Sequence, residues 1–374
     1  MLDKKNKYEN RRRIIISGGG TGVHIFPAIA IANALKEIDP AVKILFVGAQ
    51  GRMEMEKVPA AGYRIIGLPV RGLNRKNLFK NFAVIFKLIK SLFIARTIIR
   101  RFRPDAVVGV GGYASAPVLR AAARKRIPVV IQEQNSYAGK TNKWLSRKAA
   151  KICVAYEGME RFFPKEKIVL TGNPVRSELN DCHLQRAQAI NFFELEPTKK
   201  TILVVGGSLG ALTINRSVAE SIANLGENIQ LIWQTGKGFY KKAKDLVENQ
   251  KINNVKVFEF IQRMDLAYAA ADLVVSRAGA GTISELSVVA KPCILVPSPN
   301  VAEDHQTKNA MALVSKNAAI MIPDSEAVEK LFPKAIETVQ NSKTLELLAN
   351  NIKELAKFNS TRVIAEEIYG GYTD

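Results

Sequence analysis

Continuous apolar runs rich in Val, Ile and Leu constrain the fold of this chain more tightly than any other feature. In the first half they occupy residues 14–17, 44–48, 106–110, 129–132, 152–155 and 168–171. The series restarts with 201–205, 231–234, 255–260, 273–276 and 294–296. A strand with one wet face alternates apolar and polar residues. These runs do not, so both of their faces must be buried. Such strands sit in parallel sheets covered by helices, and helix-like stretches separate the runs. Right-handed βαβ crossovers then build a doubly wound sheet. The two series predict an α/β chain of two Rossmann-like domains.

A length of 374 residues also exceeds one ordinary core. The expected hinge is Thr171-Gly172-Asn173-Pro174, where Gly and Pro punctuate the chain. Residues 177–200 read as polar and helix-like before the second sheet begins. Cys153, Cys182 and Cys293 are scattered, odd in number and in no metal-binding spacing, which points to a reducing compartment without a disulfide framework. Basic residues open the chain, but a short strand and glycines follow them, unlike a secretory signal. No apolar run approaches the roughly 20 residues that span a bilayer. The net charge of +21 favours anionic partners, or simply solubility.

The first run leads through Gly18-Gly19-Gly20-Thr21-Gly22-Val23-His24 into a helix expected at 27–36, whose first turn Pro27 suits. A strand, a glycine turn and a helix N-terminus form an anion site, because the backbone can approach the ligand and helix N–H groups point at it. A ligand-free βα turn reads the same way. Gly206-Gly207-Ser208-Leu209-Gly210-Ala211 opens the second series alike. Further turns are Gly109-Val110-Gly111-Gly112-Tyr113 and Ser276-Arg277-Ala278-Gly279-Ala280-Gly281-Thr282-Ile283-Ser284-Glu285. All four lie where strands end, at the edge where doubly wound sheets bind ligands. Neither opening loop is a P-loop, and neither has the strict Gly-x-Gly-x-x-Gly of hydride-transfer enzymes.

Taken together, these strings resemble the MurG family of N-acetylglucosaminyltransferases. The matching pieces are Gly18 to His24 with Pro27-Ala28, Gly111-Gly112-Tyr113 with Pro117, Gln132-Glu133-Gln134-Asn135, and Gly172-Asn173-Pro174-Val175-Arg176. They continue with Gly206 to Ala211, Ser276 to Glu285, and Asp304-His305-Gln306 with Asn309-Ala310. They keep the family's order over most of the chain. One position departs: Val23 stands where the family's loop has glycine, and a β-branched residue is strained there if φ is positive.

The resemblance implies a GT-B fold, with two Rossmann-like domains facing across a cleft. It implies an N-terminal acceptor and membrane-associated domain over 1–173, a donor domain over 174–355, and a final helix, about 356–374, packing back on the first. The implied donor is UDP-N-acetylglucosamine. The implied acceptor is a muramoyl pentapeptide on a polyprenyl diphosphate (lipid I), and the product is lipid II. The sugar would move with inversion onto the acceptor's C4 hydroxyl, without a cofactor. The runner-up readings are another UDP-sugar lipid glycosyltransferase, an epimerase on the same scaffold, or a non-catalytic nucleotide-sugar-binding membrane protein.

Inversion needs a base for the acceptor hydroxyl. His24 is the candidate, since imidazole titrates near neutrality; it can alternatively orient the loop or the acceptor diphosphate. The chain has no Asp-x-Asp pair to hold a metal on the leaving diphosphate. Backbone N–H groups and helix N-termini must then take that charge. The family's pattern places donor contacts on Thr21, Gly22, Val23, Asn135, Arg176, Ser208, Ile261, Ala280, Gly281, Thr282, Glu285 and Gln306. Arg176 is alternatively a structural ion pair. Glu285 is either a first-turn helix cap or the acceptor of both ribose hydroxyls.

Residues 71–103 hold ten basic and no acidic residues. At 100° per residue, Lys80, Lys87, Lys90, Ser91 and Arg101 fall on one side of a helix over 78–99, with an apolar face opposite. That suits an anionic membrane surface, or a core-packed helix with a basic edge; the resemblance implies a peripheral place at the cytoplasmic face of the inner membrane. Nucleic acid is set aside, since no recognition motif accompanies the charge.

Overall fold

The structure, a computed structural model, describes residues 11–19, 22–70, 81–179, 182–207 and 210–370. The chain divides into two compact units, Met1–Val175 with Asn359–Asp374, and Arg176–Phe358.

The first unit runs β1 (Arg13–Ser17), α1 (Gly22–Ile38), β2 (Lys43–Ala49), α2 (Glu54–Ala60), β3 (Arg64–Leu68), α3 (Asn81–Phe102), β4 (Ala106–Gly109), α4 (Ser115–Arg124), β5 (Val129–Glu133), α5 (Lys140–Leu145), β6 (Lys151–Val154) and β7 (Ile168–Leu170). Its parallel sheet has the order β3-β2-β1-β4-β5-β6-β7. The second unit runs α6 (Arg186–Phe192), β8 (Lys200–Val205), α7 (Leu212–Ser221), β9 (Ile229–Gln234), α8 (Lys237–Asn249), β10 (Val255–Phe258), α9 (Met264–Ala270), β11 (Leu273–Ser276), α10 (Ala280–Val288), β12 (Cys293–Leu295), α11 (His305–Val314), β13 (Ile320–Met321), α12 (Ala327–Gln340) and α13 (Ser342–Glu354). Its order is β10-β9-β8-β11-β12-β13. The chain closes with α14 (Ser360–Gly370). Both sheets therefore reverse direction beside their first strand, between β1 and β4 and between β8 and β11. Doubly wound sheets bind ligands at that point.

The runs in the inner strands are buried on both faces, whereas 168–171 and 255–260 form the edge strands β7 and β10 and are only partly buried. Ile15 packs into one core cluster with α3 and α4, while Ile14 and Ile16 pack into another with α1 and α14. Val107 likewise faces the first cluster, and Ala106 and Val108 the second. Each fully buried Ile contributes roughly 1.5–3 kcal/mol, so neither face can be made polar cheaply. The strands absent from the expected series, β3 and β13, are edge strands and only partly buried.

Three expectations are corrected. α1 begins at Gly22, five residues ahead of the expected start, so Pro27 lies inside the helix and His24 is in its first turn. Pro27 removes only the N–H that would bond the carbonyl of residue 23. Among the described residues of the polar stretch 177–200, the helix-like reading holds in short pieces, Ser177–Leu179 and Cys182–Gln185 as 3₁₀ turns and Arg186–Phe192 as α-helix, and not as one helix. In α3, Ser91 does not lie on a wet basic side. It is fully buried with Ala95, Ile98 and Ile99, and its hydroxyl donates to the Lys87 carbonyl at 2.7 Å. Phe86, Ile89 and Phe93 are exposed instead, at 71%, 48% and 61%, on one stripe with the exposed Lys90, Arg96 and Arg100. Lys80 lies outside the described residues. α14 packs on the first unit through Ile364, Ala365 and Ile368. The Tyr369 hydroxyl donates to Asp39 at 2.9 Å, and Arg12 stacks on the Tyr369 ring.

Candidate functional site

The first unit gathers one cluster where its strand order reverses. Ser17 pairs with Gly109, so the turns after β1 and β4 leave the sheet side by side. The His24 ring lies against the second turn. A Cβ at Gly111 would stand 2.9 Å from the imidazole Cε1, and one at Gly112 would stand 3.3 Å from Cδ2 and 2.2 Å from the Gly19 carbonyl oxygen. Both glycines have positive φ, +97° and +77°. The turn is bare because the ring and the first loop occupy the space a side chain would need. Gly112→Ala is therefore expected to destabilise the first unit by about 2 kcal/mol and to lower activity by displacing the loop; thermal unfolding beside a turnover assay checks both.

His24 Nδ1 lies 3.1 Å from Gln134 Oε1. The Gln134 amide nitrogen donates to the Val110 carbonyl at 2.8 Å and to Gln132 Oε1. Gln132 Nε2 donates to Asn173 Oδ1 at 3.0 Å, and Asn173 Nδ2 donates to the Gln134 carbonyl at 2.9 Å. Gln132, Gln134 and Asn173 are all buried. The motif at β5 and the hinge motif are thus one paired amide network, the kind of buried polar group that rigidifies a site. Glu133 is buried beside it. Its carboxylate accepts from the Asn135 backbone N–H and side-chain amide on one oxygen, and from Gly139 N–H and Asn142 Nδ2 on the other. Asn135 is held in place by that acid.

Thr21 lies outside the described residues. Gly22 and Val23 open α1. The backbone at Val23 is therefore helical, where φ is negative.

The second unit gathers another cluster where its own order reverses, since Ser276 pairs with Val205. Ser208 lies outside the described residues. Gln234, buried at the end of β9, donates to the Gly207 carbonyl at 3.1 Å and accepts from the Ile261 N–H at 2.9 Å. Ala280, Gly281 and Thr282 form the first turn of α10, whose N-cap, Gly279, gives no side-chain cap. The first N–H groups of such a helix look to solvent or ligand. Gly281 has open space where a side chain would stand.

Glu285 is the sixth residue of α10, not a first-turn acid, so its reading as a cap is corrected. One carboxylate oxygen accepts from Arg176 Nε at 3.1 Å and Nη2 at 2.8 Å, and the other from the Tyr268 hydroxyl at 3.0 Å. Burial, then the charge of Glu285 and its hydrogen bond, holds the Tyr268 phenol well above its ordinary pKa, so it remains a donor. Gln306, second in α11, accepts the Ser298 N–H at 2.8 Å. The cysteines are buried, and burial first pushes Cys153 and Cys293 to about 12, which removes them as thiolate nucleophiles.

Gln134, Gln234 and Tyr268 have no assigned role in the sequence reading. Gln134 and Gln234 were signalled by position, as polar residues where an otherwise apolar run reaches the ligand-binding edge. Tyr268 carried no signal, since its partner lies across a loop and strand.

Residues 14–154 match the glycosyltransferase family 28 N-terminal domain, and residues 201–368 its C-terminal domain. An enzyme of Phocaeicola vulgatus is 60% identical over 363 residues, which cover 96% of this chain and 96% of that protein. It is named UDP-N-acetylglucosamine–N-acetylmuramyl-(pentapeptide) pyrophosphoryl-undecaprenol N-acetylglucosamine transferase. The chain belongs to the MurG family of glycosyltransferases. A Bacteroides thetaiotaomicron enzyme of the same name is 57% identical, with 96% of this chain and 98% of that one covered. The crystal structure of Acinetobacter baumannii MurG superposes with a TM-score of 0.79 at 28% identity, covering 96% of this chain and 99% of that one. The two Rossmann-like units are those of the GT-B fold.

Proposed function

We propose that this chain transfers N-acetylglucosamine from UDP-N-acetylglucosamine to lipid I with inversion, forming lipid II, and that His24 is the base that takes the proton from the acceptor's C4 hydroxyl. The observation that carries the residue assignment is the imidazole fixed by Gln134 against the Gly111-Gly112 turn, at the reversal point of the first sheet.

The donor's contacts fall mainly on the second unit. Glu285 takes the ribose hydroxyls, the Ile261 carbonyl takes a uracil N–H, and Gln306 reads the sugar. The diphosphate faces the first turn of α10 at Ala280, Gly281 and Thr282 and the loop containing Ser208, with Arg176 supplying fixed positive charge. Preoriented N–H groups stabilise a leaving diphosphate without reorganising. The MurG-family pattern adds Thr21, Gly22, Val23 and Asn135 as further donor contacts.

The test is transfer of radiolabelled N-acetylglucosamine to a lipid I analogue with EDTA present. Label in the lipid supports the reading. Epimerised donor formed without acceptor would replace it with the epimerase alternative. Tight UDP binding with neither product would leave a nucleotide-sugar-binding protein.

Among the described residues no helix is long and apolar enough to cross a membrane. We infer that the exposed stripe of α3 lies on the anionic cytoplasmic face of the membrane as a peripheral contact. Aromatic and basic residues alternate on that stripe, with Arg96 lying 5.4 Å from the Phe93 ring centroid. Aromatics enter the acyl boundary, and each nearby Lys or Arg adds about 1 kcal/mol on an anionic surface. Replacing both Phe86 and Phe93 with Ser is expected to lower partition onto anionic vesicles about tenfold or more, from the loss of two large apolar groups. Sedimentation with vesicles measures this, and unchanged partition removes the stripe as the membrane contact.

A further inference from the structure

A neutral imidazole carries its proton on one nitrogen, and a general base must present the other. Which nitrogen is protonated is decided by the partner of its neighbour across the ring. Here that partner is the side-chain oxygen of Gln134, 3.1 Å from His24 Nδ1. Its orientation is fixed by groups that cannot reverse roles. The Gln134 Nε2 points at the Val110 carbonyl at 2.8 Å, and a backbone carbonyl only accepts. Turning the amide over would set two acceptors against each other there. The neighbouring amides are fixed in the same sense. Gln132 presents its oxygen to Gln134 and its nitrogen to Asn173, and Asn173 Nδ2 donates to the Gln134 carbonyl. The chain of three amides is thus anchored on a backbone carbonyl at each end, and Oε1 must face the imidazole.

We infer that Gln134 is a positioning residue that holds His24 as the Nδ1–H tautomer, so that Nε2 is the nitrogen bearing the lone pair. The kinetic consequence rests on the reading of His24 as the base; the tautomer does not. A neutral amide does this work without the field of a carboxylate. It selects the tautomer and leaves the imidazole's affinity for protons to its other surroundings, whereas a carboxylate in its place would favour the imidazolium.

The chain has only three histidines, which makes nitrogen-15 spectroscopy of the imidazoles tractable. In the full-length protein at high pH, His24 is expected to show the Nδ1–H pattern, with its signal assigned by loss in His24→Ala. In Gln134→Met the proton redistributes toward Nε2. The kcat of transfer falls about tenfold or more while KM for UDP-N-acetylglucosamine is unchanged, as when a base is left in the wrong tautomer. In Gln134→Glu the second carboxylate oxygen meets the Val110 carbonyl where the amide donated, so the side chain is held less well, but the oxygen facing the ring restores the Nδ1–H pattern and turnover recovers in part at alkaline pH. The acid limb of its kcat profile moves to higher pH, because the added negative charge stabilises the imidazolium and the neutral base appears later. A wild-type Nε2–H pattern overturns the inference, as does a tautomer ratio unmoved in Gln134→Met. An acid limb unmoved in Gln134→Glu overturns it too, because a merely structural glutamine predicts no such shift. If the tautomer follows Gln134 but His24→Ala transfers sugar at the wild-type rate, the positioning inference stands and the base assignment fails.

Discussion

His24→Ala is expected to lower kcat for sugar transfer by about 10²–10⁴-fold, the range a positioned general base contributes. The exchange is mild for the fold. His24 is third in α1, alanine favours helix there, and the ring it removes is only partly buried. What disappears is the group that Gln134 holds against the glycine turn. The residues assigned to the donor belong mostly to the second unit, so KM for UDP-N-acetylglucosamine should stay close to wild type. A loss confined to kcat is the mark of an interaction made in the transition state. Steady-state kinetics with a lipid I analogue reads both constants. A kcat within about threefold of wild type would remove His24 as base, since even the low end of that range is far larger. A loss mainly in acceptor KM would make His24 an orienting residue for the acceptor diphosphate.

The parts of the fold that were legible in the sequence are those where burial leaves no choice. Ile14, Ile15 and Ile16 read as a two-faced strand because consecutive residues do enter opposite cores. β3 was not legible because an edge strand is half solvated, and its Arg64 and Gly67 break the apolar run. α3 shows the limit of periodicity. It carries apolar residues around most of its circumference, so the pattern does not say which of them meet the sheet. The small and β-branched side of Ser91, Ala95, Ile98 and Ile99 packs closely, and the bulky Phe86 and Phe93 are left outside. The start of α1 was misplaced because proline usually marks a first turn, while here the glycine loop itself winds into helix ahead of it. The site was legible as strings but not as a network. Gln132 to Asn135 and Asn173 stand about forty residues apart, and only the approach of the turn after β7 to the end of β5 makes one hydrogen-bonded group of them.

Glu285→Ala is expected to weaken UDP-N-acetylglucosamine binding by roughly 10²-fold. On the proposed reading the carboxylate accepts both ribose hydroxyls, each hydrogen bond to a charged group is worth about 1.5–3 kcal/mol, and 1.4 kcal/mol is tenfold. Without donor, the same carboxylate is already occupied, with Arg176 forked onto one oxygen and Tyr268 on the other. Two carboxylate oxygens offer about four acceptor positions, so among the described residues three are in use and one remains. Taking two hydroxyls therefore requires Arg176 to give up at least one of its bonds, which frees a fixed cation for the diphosphate of the same ligand. Tyr268 has no such freedom. It is buried, and in Glu285→Ala its hydroxyl loses its acceptor, so a stability loss of about 1–3 kcal/mol accompanies the binding loss. A donor whose ribose lacks the 2′-hydroxyl separates the two effects. Wild type should bind it at least about tenfold more weakly than the natural donor, and Glu285→Ala should bind both alike. Equal discrimination by the two proteins would mean that the ribose is read elsewhere, and that Glu285 serves only to hold Arg176 and Tyr268.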